Sequence, residues 1–470
     1  MTGADDIAFA SALDLAEQYR RKAVSPVEAA EALFARLEAL QPKLNAFCVV
    51  DRDGALVAAR ASEERWAKGE PLGPLDGVPA TIKDLVLMRG HPTRRGSKLI
   101  EPAPDTEDGP AVARLKEAGA VILGKTTSPE FGWKAIGDSP LTGITRNPWN
   151  PERTTGGSSA GAAAACAAGI APLNVGSDGA GSIRIPSAFT GIFGIKATFG
   201  RVPAYPSSPM GLLSNVGPMT RDVRDAAAML NVLARPDDRD PYSLPPETRD
   251  YRDGIEEGVN GLRVAYSADL GYARVDPEIA AACAAAARKF EELGAHVEEV
   301  GEIFPSPREA LLTLWRAGAA RILAAYPAEK RALCDPGFIK VVAEGERVSG
   351  AEYVGADMER TALGARMAAF HRRYDLLLTP MMPVPALPAG QDLNDPATEE
   401  NWIDWSPFSY PFNMTRQPAC SIPCGLTSAG LPIGLQIVGP LYAEHRVLRA
   451  ARAFETTQPV RRPKLDAPRQ

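Results

Sequence analysis

Segments that read as strands and segments that read as helices alternate along nearly the whole chain, and that alternation restricts the possible folds more than any other feature. Near the start, Ser25-Pro26-Val27-Glu28 is a capping box with proline at the first helical position. Ala29, Leu33, Leu37 and Leu40 then recur at helical spacing, which predicts an amphipathic helix packed on the body. A further helix is predicted over residues 54–67. GPLDGVPATIKDLVLMRG reads as a turn, a short apolar strand and a turn. Residues 109–128 read as a helix from Pro110 to Ala118, then Gly119, then the strand AVILGK. GPMTRDVRDAAAMLNVLAR reads as a capped helix, and the polar, proline-rich residues 236–258 as an exposed loop. LRVAYS, a helix from Pro277 to Leu293 and HVEEV make another strand–helix–strand unit, followed by the strands YDLLLTP, ACSIPCG and LPIGLQIVG. The pattern predicts an α/β layered fold around a mixed sheet.

At 470 residues the chain is long enough for two or three average domains, although α/β enzymes often use this length as one folded unit. The net charge of −6 argues against nucleic acid or an anionic membrane as the main partner. No apolar run approaches the roughly 20 residues that cross a bilayer. The opening MTGADDIAFA carries acids where a signal peptide needs bases, so a cytoplasmic location is expected. Six cysteines, at 48, 166, 283, 334, 420 and 424, are spaced like reduced thiols rather than a disulfide framework. Cys420 and Cys424 have no second pair or histidine beside them to complete a zinc site. The four histidines, His91, His296, His371 and His445, form no HxH or HExxH pair, so neither metal nor organic cofactor is expected.

The chemistry concentrates in two glycine-bedded serine stretches. GGSSAGAAAACAAG, Gly156 to Gly169, starts as a glycine loop and becomes a helix at its alanines, and a helix N-terminus offers unpaired N–H groups. In the second, APLNV runs as a short strand into Gly176-Ser177-Asp178-Gly179-Ala180-Gly181-Ser182. Small residues there let backbone N–H groups turn towards one point, as an oxyanion hole requires. Ser182, at its end, is placed to attack a carbonyl held in those groups. A serine needs a base, and no histidine lies near either stretch. Lys83, in the apolar VPATIKDLVL, offers one, because desolvation lowers a lysine's pKa. A strand-end lysine paired with a surface carboxylate fits the same residues.

The order Lys83, GGSSAG, then GSDGAGSIRIPSAFTGIFGIKATFGRVP resembles the amidase signature family of serine hydrolases. TRNPWNPERTTGGSS, YDLLLTPMMPVPA and LPIGLQIVGP extend the resemblance from about Ala29 to Arg449. The resemblance implies an α/β/α layered fold with a central mixed, mostly parallel sheet, as a single domain over residues 1–470. Within it, residues 1–60 would be N-terminal helices, 61–235 the core carrying the catalytic residues, and 236–470 the rest of the sheet and the substrate pocket. It implies Ser182 as nucleophile, Ser158 as a bridging serine after a cis peptide bond, and Lys83 as general base. The oxyanion-hole amides would be those of Gly179, Ala180, Gly181 and Ser182, braced by Ser159, Asp178 and Arg184. The family commonly reads DTGGS where this chain reads DGAGS, so Ala180 would be strained if it needed positive φ, unless Gly179 takes up the turn. The resemblance further implies a small-molecule amide substrate, possible ester cleavage and a homodimer.

Two rival readings share these residues. Gly157-Ser158-Ser159-Ala160-Gly161 also fits G-x-S-x-G, with Ser159 as nucleophile and His371 or His445 as base, but WNPERTT is no apolar strand to lead into it. No GK[ST] follows to make a phosphate loop. The family also includes the glutaminase subunit of a tRNA-dependent amidotransferase, which works within a complex. The segment 339–366 shows no clear counterpart of that subunit's basic glutamine-binding segment. For substrate selection, Trp402, Trp405, Phe408, Tyr410 and Phe412 form an aromatic cluster, with Trp133 and Met210 as further pocket candidates. Aromatic walls would favour a hydrophobic or aryl substrate, although such clusters are also ordinary core. Arg89, Arg94 and Arg95, the cations nearest Lys83 in sequence, read as solvated surface charges.

Overall fold

Ser25 Oγ accepts the Glu28 amide and the Glu28 carboxylate accepts the Ser25 amide, so the predicted capping box starts the helix Pro26–Leu44. The computed structural model describes residues 4–459 and 461–465; the first three residues of the acid-bearing N-terminal stretch lie outside the described residues. The helix predicted for 54–67 spans Arg52–Lys68, with Asp51 accepting the Gly54 amide and Gly69 (φ +76) ending it. The αβ step follows as the helix Pro110–Glu117 and the strand Val121–Thr126. GPMT departs from the helical reading: Asn215–Thr220 is a fully buried strand paired on both sides, and the helix begins only at Val223, capped by Asp222.

Eleven strands form one sheet. From edge to edge it runs Phe47–Val50, Val121–Thr126, Pro79–Lys83, Leu173–Asp178, Asn215–Thr220, Phe193–Lys196, Ala419–Leu426, Pro432–Val438, Leu376–Pro380, Arg263–Tyr266 and His296–Glu299. The sheet is mixed, but it is not mostly parallel: six of its ten pairings are antiparallel. The cause is connection length. Ala419–Leu426 and Pro432–Val438 are joined by a short turn and can only run antiparallel, whereas parallel neighbours need a crossover. Helices supply that crossover between Pro79–Lys83 and Val121–Thr126, and between Arg263–Tyr266 and His296–Glu299.

Alternation along a central strand separates the layers. Leu376 and Leu378 join an apolar cluster with Leu230, Phe290 and Phe454, residues of the helices Val223–Leu233, Pro277–Glu292 and Glu444–Glu455. Leu377, between them, joins a second cluster with Trp315 and Met367 of the helices Arg308–Leu323 and Gly350–Phe370. Successive strand side chains point to opposite faces, so the sheet has a helical layer on each side. Among the described residues no helix is long and apolar enough to cross a membrane.

Candidate active site

Two neighbouring strands place the lysine. Pro79–Lys83 runs parallel to Leu173–Asp178 with Ile82 opposite Val175, so Lys83 and Ser177 emerge at the same C-terminal edge. Open α/β sheets bind ligands at such edges. The first serine stretch arrives there through a loop that ends in the helix Ala160–Ala167, and a cis peptide bond joins Gly157 to Ser158, as the resemblance implied. The helix and the strand Leu173–Asp178 then return the chain, and the Ser159 amide donates to the Ser182 carbonyl at 3.2 Å.

Lys83 has no solvent exposure. Its Nζ lies 2.7 Å from Ser158 Oγ, 3.0 Å from Ser159 Oγ and 2.9 Å from Ser177 Oγ. Among the described residues no carboxylate forms an ion pair with it. The strand-end lysine with a surface acid is therefore not what the fold contains. Burial drives its pKa well below the ordinary 10.5, and the charge of Asp178 opposes this only in part. Ser159 is fully engaged: its Oγ donates to the Ser177 carbonyl at 3.1 Å and accepts the Ser177 amide at 3.2 Å. His371 Nδ1 bonds the Tyr374 carbonyl at the end of its helix, and burial pushes its pKa down to about 4. Neither His371 nor His445 shares a hydrogen bond with Ser159, so the elbow arrangement is not assembled.

Ser182 is 5% exposed, and its hydroxyl makes no hydrogen bond among the described residues. The loop before it resolves the question raised by Ala180. Ala180 stays out of the left-handed region and Gly179 does too; Gly181, at φ +122, makes the turn. A β-carbon at 181 would also stand 2.5 Å from Ser409 Cβ. The four amides are not equivalent. Gly181 N–H donates to Asp178 Oδ1 at 2.7 Å, which removes it from the oxyanion-hole set read from the sequence. The amides of Gly179, Ala180 and Ser182 donate to no protein group among the described residues.

Asp178 and Arg184 pair at 3.0 Å, both without exposure. Burial opposes the Asp178 charge, but Arg184's charge and hydrogen bond, with a hydrogen bond from Asn413, outweigh it and hold the carboxyl well below the usual carboxylate range. Arg184 also donates to the Ser409 carbonyl, Gln436 Oε1 and Asn413 Oδ1. The pair thus fixes the Gly179–Ser182 loop against the C-terminal half of the sheet.

The pocket residues divide. Met210 lines a cavity of about 100 Å³ with Ser177, Leu85, Phe131, Tyr205 and Ile322. Trp133 and Trp402 line a different depression, of about 160 Å³, beside Lys340 and Asp392 and without any of the serines. Trp405 and Phe408 line neither. Trp405 stacks on Phe189 at 6.2 Å and its Nε1 is taken by the Asp392 carbonyl, while Phe408 is completely enclosed, so both are core. A larger cavity of about 550 Å³, lined by Trp149, Arg221 and Arg452 among others, contains none of the site residues.

Three site residues had no role in the sequence reading. Ser177 lay inside the quoted motif, and strand register against Lys83 was the signal that could have found it. Trp315, whose ring a β-carbon at Gly179 would meet at 3.2 Å, comes from a distant helix with no local signature. Phe131 adopts φ +51 and lines the Ser177 cavity, with nothing in EFGW to announce it.

A layered α/β fold with a buried lysine among glycine-bedded serines defines a class of hydrolase, and comparison with known proteins gives the family. The family model described as Amidase matches residues 28–448. An acylamidase from Rhodococcus erythropolis is 39% identical over 458 residues, covering 96% of this chain and 95% of that one. A glutamyl-tRNA(Gln) amidotransferase subunit from Myxococcus xanthus (strain DK1622) is 37% identical, covering 94% of this chain and 96% of that one. The crystal structure of a bacterial aryl acylamidase of the amidase signature family superposes with a TM-score of 0.90 at 32% identity, covering 96% of each chain. The chain belongs to the amidase signature family and is an amidase-type hydrolase.

Proposed function

We propose that this chain cleaves the C–N bond of linear carboxylic amides bearing a hydrophobic or aryl group, through an acyl-enzyme on Ser182. The observation that carries the reading is the environment of Lys83: an amine with no ion-pair partner among the described residues, its pKa lowered by burial, 2.7 Å from Ser158 Oγ. As a neutral amine it donates to Ser159 and Ser177 and keeps its lone pair for the Ser158 hydroxyl. Ser158 in turn takes the Ser182 proton as Ser182 Oγ attacks the carbonyl carbon. The oxyanion is held by the free amides of Gly179, Ala180 and Ser182. When the C–N bond breaks, the proton on Lys83 returns through Ser158 to the leaving amine. Water then takes the amine's place, gives its proton along the same path and releases the acid. Esters, with a better leaving group, follow the same route.

The test is labelling with a fluorophosphonate, then tryptic digestion and fragmentation of the peptide Thr154 to Arg184. An adduct on Ser182 that disappears in Lys83→Ala supports the mechanism. An adduct on Ser159 sinks it.

The 37% identity to an amidotransferase component supports a second reading, a glutaminase that passes ammonia to a partner. The purified chain separates the two. Hydrolysis of anilides at rates unaffected by glutamine favours the stand-alone amidase, and hydrolysis of glutamine alone favours the component of a complex.

A further inference from the structure

We propose that Arg95 is a specificity residue of the Ser177 cavity, and that the preferred amides carry a carboxylate at the far end of their hydrophobic portion. The inference rests on the amidase reading above and names the substrate class for that same site. Arg95 is half-buried. Among the residues lining the Ser177 cavity it is the one charged side chain, and the rest are largely apolar, with Leu85, Val86, Phe131, Met210 and Ile322 prominent. No acid faces it there, and among the described residues its guanidinium makes no hydrogen bond or ion pair. Its neighbour Arg94, by contrast, donates from Nε to the Ile100 carbonyl at 3.0 Å.

The backbone around Arg95 is fixed from several sides. Arg95 sits at φ +54, a conformation that costs a non-glycine residue free energy and persists only where its surroundings impose it. The amides on either side, of Arg94 and Gly96, both donate to the Asp84 carboxylate at 3.3 Å. Asp84 is itself buried and paired with Lys125 at 3.1 Å. A β-carbon at Gly96 would stand 2.4 Å from the Ser128 carbonyl oxygen, so the turn is pressed against the next loop. The Arg95 carbonyl accepts the Phe131 amide at 2.7 Å, and Phe131 is a second non-glycine residue in the left-handed region lining the same cavity. Two strained residues, bonded to each other, thus carry a cation and an aromatic ring to the cavity lined by Ser177, whose Oγ accepts from Lys83 Nζ at 2.9 Å. An unpaired guanidinium on a fixed backbone beside apolar walls is complementary to a planar anion on a hydrophobic stem, and the carboxylate matches its two-pronged geometry.

The test compares 4-nitroanilides of dicarboxylic acids, from succinyl to adipoyl, with those of uncharged acyl chains of the same length, in the wild type, Arg95→Asn and Arg95→Lys. Asparagine is chosen because it tolerates the left-handed backbone. The ratio of kcat/KM for the charged over the uncharged chain of the best length is expected to fall roughly ten- to a hundredfold in Arg95→Asn, chiefly through KM, and to recover in part in Arg95→Lys. In the wild type, added salt is expected to raise KM for the charged substrate only, a readout that stands even where a variant fails to fold. Equal ratios in wild type and Arg95→Asn, or salt-insensitive KM values, overturn the assignment of Arg95 while leaving the amidase intact. Hydrolysis of neither series, with no fluorophosphonate adduct on Ser182, overturns the amidase reading and this inference with it.

Discussion

Lys83 holds its amine where an ammonium ion is costly, and the sign of that cost sets two pH dependences. A base must be neutral to accept the Ser158 proton, so kcat/KM is expected to rise with pH through the lowered pKa of Lys83 and level off above it. Stability runs in the same direction. The unfolded lysine binds a proton below about 10.5, its ordinary value, while the folded one resists it, so this group weakens folding progressively as the pH falls. Lys83→Ala should lower kcat/KM by at least about a hundredfold at neutral pH, and a pH–rate profile unchanged by it would remove the lysine from the mechanism. Ala180 gives a milder test. Because it avoids positive φ, restoring the family's glycine relieves no strain. Ala180→Gly should leave kcat/KM within about threefold and destabilise by roughly 0.4–1 kcal/mol through the freer unfolded chain. A large gain in rate would show that the alanine methyl obstructs the oxyanion site. At this scale the meeting of Lys83 with Ser158 was legible, and the fold places Lys83 Nζ 2.7 Å from Ser158 Oγ. It was illegible where hydrogen bonding decides, since nothing in GSDGAGS says that Asp178 takes the Gly181 amide.

Individual elements were read correctly when their signals were local. The capping box of Ser25 and Glu28 is satisfied by residues three apart. GPMT misled because its pairing partners, Asn174 to Gly176 on one side and Phe193 to Gly194 on the other, are remote in sequence. The start of the helix Ala12–Arg20 is a similar case. Besides Ser11, its first amides are met by Asp225, more than two hundred residues away, which accepts from Ala12 at 2.7 Å and from Leu13 at 3.2 Å. Asp225→Ala strands the buried Ala12 amide and the half-buried Leu13 amide and should cost roughly 1–3 kcal/mol, read as a lowered unfolding midpoint and faster hydrogen exchange over residues 12–20. Burial, and then the charge of Asp222, push the Asp225 carboxyl up to about 7. A folded pKa above the unfolded one means the folded state keeps a proton that the unfolded state has lost. Asp225's contribution is therefore complete below about 3.8 and declines as the pH rises towards 7. A wild-type stability curve with the same slope between these values as that of Asp225→Asn would contradict this.

At the scale of the whole molecule, the order of strands was beyond the sequence, because it depends on which connections are hairpins and which are crossovers. Composition and periodicity give strands and helices; they do not place Phe193–Lys196 beside Ala419–Leu426, the pairing that joins the two halves of the sheet. We propose that the chain folds as one unit about this seam, with Asp178 and Arg184 as its pin. Arg184 lies on the N-terminal side, yet it bonds Ser409, Asn413 and Gln436 from the other. Asp178→Asn would leave the buried guanidinium without its counter-charge, a change that costs roughly 3–5 kcal/mol where such pairs are broken. The pH dependence separates this from a simple packing defect. Asp178 titrates below its ordinary 3.8 in the folded state, so the stability it adds is present above that value and drains away as the pH falls through the folded one. Urea midpoints taken downwards from neutral pH should therefore fall for the wild type below about pH 4, while Asp178→Asn, already weakened, should lack that part of the acid slope. If the two proteins lose stability in parallel as acid is added, the carboxylate is not the pin. The seam would then be held by strand pairing and apolar burial alone.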